Sequence, residues 1–121
     1  MIRLSSPSTT SHHPHEDFEV MVESHERLPN FIDIRKYINQ TLSQIEQLQP
    51  DRFELTETPL WRSGRPCGMS FCLHGPRAVR LTAVWETDGN TILFYGSQGE
   101  RVQRTHLAAA PAIEDCIASA A

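Results

Sequence analysis

Two side chains with complementary chemistry lie two residues apart in the middle of the chain. Cys72 and His74 would project from the same face of an extended strand. A thiolate beside a base is a nucleophile, and a nearby arginine such as Arg80 would favour the thiolate form. One hypothesis is therefore a thiol-dependent enzyme that uses Cys72. Same-face neighbours on a strand are about 7 Å apart, however, which is too far for a direct hydrogen bond.

Cys67, Cys72 and His74 are residue types that bind zinc, but their spacing does not support a zinc site. Cys67 and Cys72 are five residues apart, so a strand directs them to opposite faces. A structural zinc site needs four converging ligands, and no others accompany Cys72 and His74. The histidines at positions 12, 13 and 15 likewise have no carboxylate or thiol at a suitable spacing. The sequence predicts no metal site and no cofactor.

A third chemical possibility is an anionic or planar ligand held by Arg80 and Tyr95. Arginine offers a planar fork of donors, and tyrosine offers a flat ring with a hydroxyl. Ser70 and Thr82 are expected beside them. The net charge of −4 argues against non-specific binding of polyanions, because residues 1–60 carry ten acidic and five basic side chains. All six basic residues after position 60 are arginines, so a local site for an anion stays open and nucleic acid is not excluded.

The strongest helix signal lies at residues 31–49. Apolar residues recur there every three or four positions and form one stripe. Asn30 is a favourable N-cap, Asp33 is the candidate partner in a capping box, and Pro50 stops the helix. The members of the stripe are Phe31, Ile34, Ile38, Leu42, Ile45 and Leu48.

The stretch from Cys67 to Gly96 predicts three consecutive strands in which apolar and polar residues alternate. Residues 52–61 add a strand before them, and a three-residue loop at 63–65 follows that strand. Asp88-Gly89 is placed for a type I′ turn. A weaker fifth strand is indicated at 101–106, and a short helix is indicated near the C-terminus. The predicted fold is α+β, with one long helix on an antiparallel meander of four or five strands.

One register satisfies all of these strands and directs the apolar side chains to a single face. Slipping any strand by one residue would break this agreement. The helix is expected to cover that face, since one sheet layer cannot bury it alone. The predicted pairs are Leu55 with Leu73, Trp61 with Cys67, Leu73 with Val79, Phe71 with Leu81, Trp85 with Ile92, and Ala83 with Phe94.

The opposite face of the sheet is neither cleanly polar nor cleanly apolar, and it supplies the candidate binding residues. It needs a cover, and three are considered: the chain itself, through Ile113 and Ile117 or through residues 18–22; a second copy or another protein; or a small molecule. The candidate residues on this face are Ser70, Cys72, Arg80, Thr82, Val84, Leu93 and Tyr95.

Length and composition suit one domain. Residues 1–28 are expected to be a flexible N-terminal segment, and residues 29–121 a single α+β domain. The three cysteines do not suggest a disulfide framework, and no apolar run is long enough to span a bilayer. A cytoplasmic, non-enzymatic module that binds a protein or itself is the leading hypothesis. Anion or nucleic-acid binding through Arg80 and Tyr95, and thiol catalysis by Cys72, are the alternatives.

Overall fold

The computed structural model describes residues 21–120. One strand precedes the first of two helices, and five consecutive strands separate that helix from the second. The elements are β1 (Val22–Arg27), α1 (Phe31–Ile45), β2 (Glu54–Arg62), β3 (Arg65–His74), β4 (Arg80–Glu86), β5 (Thr91–Tyr95), β6 (Arg101–Ala109) and α2 (Ile113–Ala120).

All six strands form one sheet in the order β1-β6-β5-β4-β3-β2. Strands β2 to β6 form an antiparallel meander, and β1 runs parallel to β6 at the far edge. The predicted α+β class is confirmed, but the sheet has six strands instead of four or five. The additional strand, β1, lies within the stretch 1–28, of which residues 1–20 lie outside the described residues.

Helix α1 buries the predicted stripe but ends earlier than predicted. Ile34, Ile38 and Leu42 are fully buried. The helix ends at Ile45 because Gln47 takes a left-handed conformation, with φ of 56°, and the amide of Leu48 then donates to the carbonyl of Ser43 (2.7 Å). Leu48 still packs against the core from beyond the helix end. The predicted capping box does not form, since Asn30 donates to the side chain of Asp33 (3.2 Å).

The type I′ turn occurs in a different hairpin from the predicted one. β2 and β3 are joined by Ser63 and Gly64, whose φ angles of 52° and 76° are both positive, as a two-residue I′ turn requires. The β4–β5 connection spans the four residues 87–90, and only Asn90 has a positive φ there (49°). The predicted three-residue loop at 63–65 is therefore wrong. The turn at Asp88-Gly89 is in its predicted place, but its predicted type I′ geometry is wrong.

The β3–β4 register differs from the predicted one by two residues. A 3₁₀ turn at Pro76–Ala78 lengthens the connection, so Leu73 lies opposite Leu81 instead of Val79, and Phe71 lies opposite Ala83 instead of Leu81. A shift of two keeps each side chain on its predicted face but moves it to another row. The pairs Leu55–Leu73, Trp85–Ile92 and Ala83–Phe94 are confirmed. A bulge after Leu60 pairs Trp61 with Pro66 instead of Cys67, and Trp61 is 58% exposed.

Both helices pack on the same side of the sheet. Ile113 and Cys116 of α2 are buried in the same cluster as the apolar stripe of α1. The prediction that Ile113 and Ile117 cover the other face is therefore wrong. The fully buried centre of this core consists of Ile34, Ile38, Leu42, Met69, Phe71, Leu73, Leu81, Ala83, Trp85, Ile92 and Phe94.

Candidate functional site

The face of the sheet turned away from the helices is the candidate functional site. Alternation along each strand sends every second side chain of the meander to this face, while its neighbours enter the core. We call the eight side chains at its middle the central block. They are Thr56 and Thr58 of β2, Ser70 and Cys72 of β3, Thr82 and Val84 of β4, and Leu93 and Tyr95 of β5.

The central block contains no charged side chain. Seven of its members are half-buried by their strand neighbours, and Thr58 is exposed. Two rows run across the strands, one linking Thr56, Cys72, Thr82 and Tyr95, and the other linking Thr58, Ser70, Val84 and Leu93. A solvated sheet face usually carries charged residues along its whole length. This block is therefore a wide uncharged surface.

Charged side chains form a rim around the block. Glu54 and Arg80 lie at one end of the strands, and Glu86 lies at the other end. Along β6, Arg101 lies opposite Tyr95, and Arg104 lies opposite Leu93. The arrangement is an uncharged centre inside a charged margin.

The structure keeps part of the cluster predicted around Arg80 and Tyr95. Tyr95 lies opposite Thr82, and Arg80 precedes Thr82 by two residues on the same face, because the β4–β5 register is the predicted one. The shifted β3–β4 register places Arg80 opposite His74, at the end of β4. Ser70 lies opposite Val84, one row away from Thr82, so it is displaced from the predicted cluster. On its other side Tyr95 lies opposite Arg101.

The predicted environment of Cys72 also differs. Thr82, not Arg80, is its cross-strand neighbour. His74 is engaged with the edge strand, since its Nε2 lies 2.9 Å from the hydroxyl of Thr56. The arginine that would have favoured a thiolate is thus one pair further along the strands. Cys67 is half-buried near the bulge.

The margin formed by β1 and β6 is a polar arrangement that the sequence did not predict. Glu23 accepts a hydrogen bond from Nε2 of His106 (2.7 Å) and lies 3.8 Å from the guanidinium of Arg104. The ring of His25 stacks on that of His106, with centroids 4.9 Å apart. The signal was hidden because these contacts depend on the parallel pairing of two strands about eighty residues apart in the sequence.

A second polar feature lies on the helix side, at the edge between α1 and β2. Glu57 lies opposite Phe71, and its carboxylate accepts two hydrogen bonds from Arg35. The hydrogen bonds and the charge of Glu57 raise the pKa of the Arg35 guanidinium above its usual value. A cleft of about 610 Å³ beside this pair is also lined by Lys36, Asn39 and Asp51. The ion pair links α1 to the edge strand β2.

No family model, curated protein or solved structure matches this chain. Within residues 21–120, no group of three or more His, Cys, Asp or Glu side chains is arranged to hold a metal ion. Neither helix of the described part is long and apolar enough to cross a membrane.

Proposed function

We propose that this protein is a non-enzymatic docking module that associates with a second copy of itself through the open face of its sheet. The observation that carries the proposal is the uncharged central block enclosed by a charged rim. Protein interfaces share this anatomy, with a core depleted of charge and a polar margin. Val84 and Leu93 are paired on β4 and β5, the two middle strands of the sheet, where an interface buries its apolar contacts.

The size of the face suits a modest interface. Six strands spaced by about 4.8 Å span roughly 24 Å, and strands of about six residues span roughly 20 Å. The projected area is on the order of 500 Å², to which the relief of the side chains adds. A standard interface buries about 800 Å² on each partner. Two such faces in contact support a dimer of moderate affinity.

A protein surface suits the block better than a nucleic acid. Binding to nucleic acid depends on cations that neutralise phosphates, and the block has none. The arginines of the rim lie at separate places, with Arg80 at a strand end and Arg101 and Arg104 along β6. Stacking two uncharged faces removes the half-buried apolar groups from water without burying an unpaired charge.

The test is the oligomeric state, measured by sedimentation velocity from low to high micromolar concentration. We expect the wild-type protein to dimerise and Leu93→Asp to weaken dimerisation by about 30-fold or more, because it buries a charge at the centre of the interface. Ile32→Asp is the matched control, since Ile32 is 66% exposed on the helix side of the molecule. It should dimerise like the wild type.

Folding must be separated from association, because aspartate is unfavourable inside a strand. Leu93→Thr keeps a strand-forming residue and removes most of the apolar contact, so it should also weaken the dimer while leaving circular dichroism unchanged. A wild-type protein that stays monomeric at high micromolar concentration would overturn the proposal. So would a dimer that neither Leu93 variant weakens.

A further inference from the structure

Strand β4 carries a symmetric pattern of charge on the open face. Arg80 stands at its first position and Glu86 at its last, with Thr82 and Val84 between them. The two charged residues are three positions on either side of Ala83, which points into the core. At about 3.3 Å per residue, each Cα is roughly 10 Å from that of Ala83. The pattern is therefore a cation and an anion placed equally far from one midpoint.

Both charged groups have capacity for a further partner. Arg80 is exposed, and among the described residues its side chain makes one hydrogen bond, to the carbonyl of Val79 (3.2 Å). Glu86 accepts from the amide of Gly89 through Oε1 (2.9 Å), and its other carboxylate oxygen has no bond to a described residue. Neither residue has an ion-pair partner within residues 21–120.

We infer that the two copies pack face to face about a twofold axis that lies midway between the two sheets, passes over Ala83 and is perpendicular to β4. This inference depends on the proposed self-association. The two β4 strands then run antiparallel across the interface. Arg80 of each copy lies over Glu86 of the other, and the interface gains two equivalent ion pairs.

The alternative orientation is disfavoured by the same two residues. An axis parallel to β4 would place each residue over the same residue of the other copy. Arg80 would then face Arg80, and Glu86 would face Glu86. Like charges set against each other across an interface are strongly unfavourable. The charges of β4 therefore favour the antiparallel arrangement when β4 stacks on β4. On β6 the axis of that arrangement brings Arg101 of one copy to the level of Arg104 of the other, where Glu23 lies 3.8 Å from Arg104 and supplies a negative charge.

The distances allow this contact. Stacked sheets lie about 10 Å apart, and aligned sheets cross at about 30°. A crossing of that size displaces the strand ends by roughly 5 Å, which is about one strand spacing. Arginine and glutamate side chains extend far enough together to span the resulting separation. On β5, which is next to β4, the same axis brings Tyr95 of each copy near Leu93 of the other, which adds two equivalent apolar contacts.

The test reverses the charges of Arg80 and Glu86 singly, together in one chain, and in a mixture of the two single variants. In a twofold dimer, Arg80→Glu alone creates two repulsive contacts, and so does Glu86→Arg alone. Each should weaken self-association by at least about tenfold. The double variant Arg80→Glu/Glu86→Arg should restore it. An equimolar mixture of the two single variants should also associate, because the mixed dimer contains two complementary pairs.

The outcomes separate this inference from the proposed function. Arg65 is an exposed arginine at the β2–β3 turn. Arg65→Glu changes the net charge as Arg80→Glu does, and it should associate like the wild type. If Leu93→Asp abolishes the dimer but the two single reversals leave it intact, the face is the interface and the twofold arrangement is wrong. If the singles weaken the dimer but neither the double variant nor the mixture recovers it, the reciprocal pairing is also wrong. If Leu93→Asp has no effect, the proposed function itself fails.

Discussion

At the scale of single residues, Cys116 is the titratable group whose environment departs most clearly from water. It is 1% exposed, in the core between α2 and the sheet. Burial raises the pKa of its thiol from 9.0 to about 11, the charge of Asp115 adds to this, and Arg35 opposes it. Burial disfavours the thiolate because the charged form loses its hydration.

This shift predicts a loss of stability at alkaline pH. Between about pH 9 and about pH 11 the unfolded thiol releases its proton while the folded thiol keeps it. The free energy of unfolding therefore falls as pH rises through that window, by on the order of 1 kcal/mol per pH unit. Urea titrations at pH 8 and at about pH 10.5 would measure it. Cys116→Ala should remove this part of the slope, and Cys72→Ala, which removes a half-buried thiol, should retain it.

At the scale of elements, β1 is held in place by a compact polar network as well as by its backbone. The hydroxyl of Tyr37 on α1 lies 2.8 Å from that of Thr105 on β6 and 3.2 Å from that of Ser24 on β1. The side-chain amide nitrogen of Gln103, which has two hydrogens to donate, lies 3.0–3.2 Å from all three hydroxyl oxygens. Thr105 is fully buried, so the network supplies the partners that a buried hydroxyl requires.

Tyr37→Phe should therefore loosen β1 more than it disturbs the core. The ring remains to contact Phe94 edge-on, but the buried hydroxyl of Thr105 loses one of its partners. We expect a loss of about 1–2 kcal/mol in unfolding free energy and faster hydrogen exchange in residues 22–27. Tyr95→Phe is the matched control, because the hydroxyl of Tyr95 bonds to no other described residue. Equal effects of the two substitutions would contradict this role for the network.

The elements also show how far the sequence predicts this fold. The period of two in β3, β4 and β5 is enough to assign the faces, because the error in the register between β3 and β4 is an even number of residues. The cross-strand neighbours of β3 and β4 were not predictable. The 3₁₀ turn at Pro76–Ala78 makes the connection between these strands longer than the predicted loop. Strand β1 has a mixed composition, and its stability comes from pairing with β6, a contact that local patterns do not encode.

The dependence of faces on parity and of neighbours on loop length also applies to the candidate site. The members of the open face were identified correctly, since face membership depends only on parity. Their cross-strand neighbours were identified only in part, since the difference of two residues between β3 and β4 separates Arg80 from Cys72, whereas Tyr95 keeps its predicted place opposite Thr82. Chemical hypotheses that require two specific side chains in contact are therefore more sensitive to loop length than hypotheses about a whole face.

At the scale of the whole molecule, the sheet has one face buried by two helices and one face with no covering element among residues 21–120. If a second copy supplies that cover, association and folding are thermodynamically linked. The folded dimer then competes with two unfolded chains, and mass action favours the dimer as concentration rises.

The unfolding temperature of the wild-type protein should therefore depend on its concentration. Once the dimer predominates, each tenfold increase should raise the midpoint by about 2–4 °C, since half of RT ln 10 is gained per chain. Differential scanning calorimetry over two decades of concentration would measure this. Leu93→Asp should unfold at the same temperature throughout, because its folded form stays monomeric. A wild-type midpoint that does not move with concentration would mean that the open face contributes nothing to stability through a second copy, and that the half-buried pair of Val84 and Leu93 is tolerated in water.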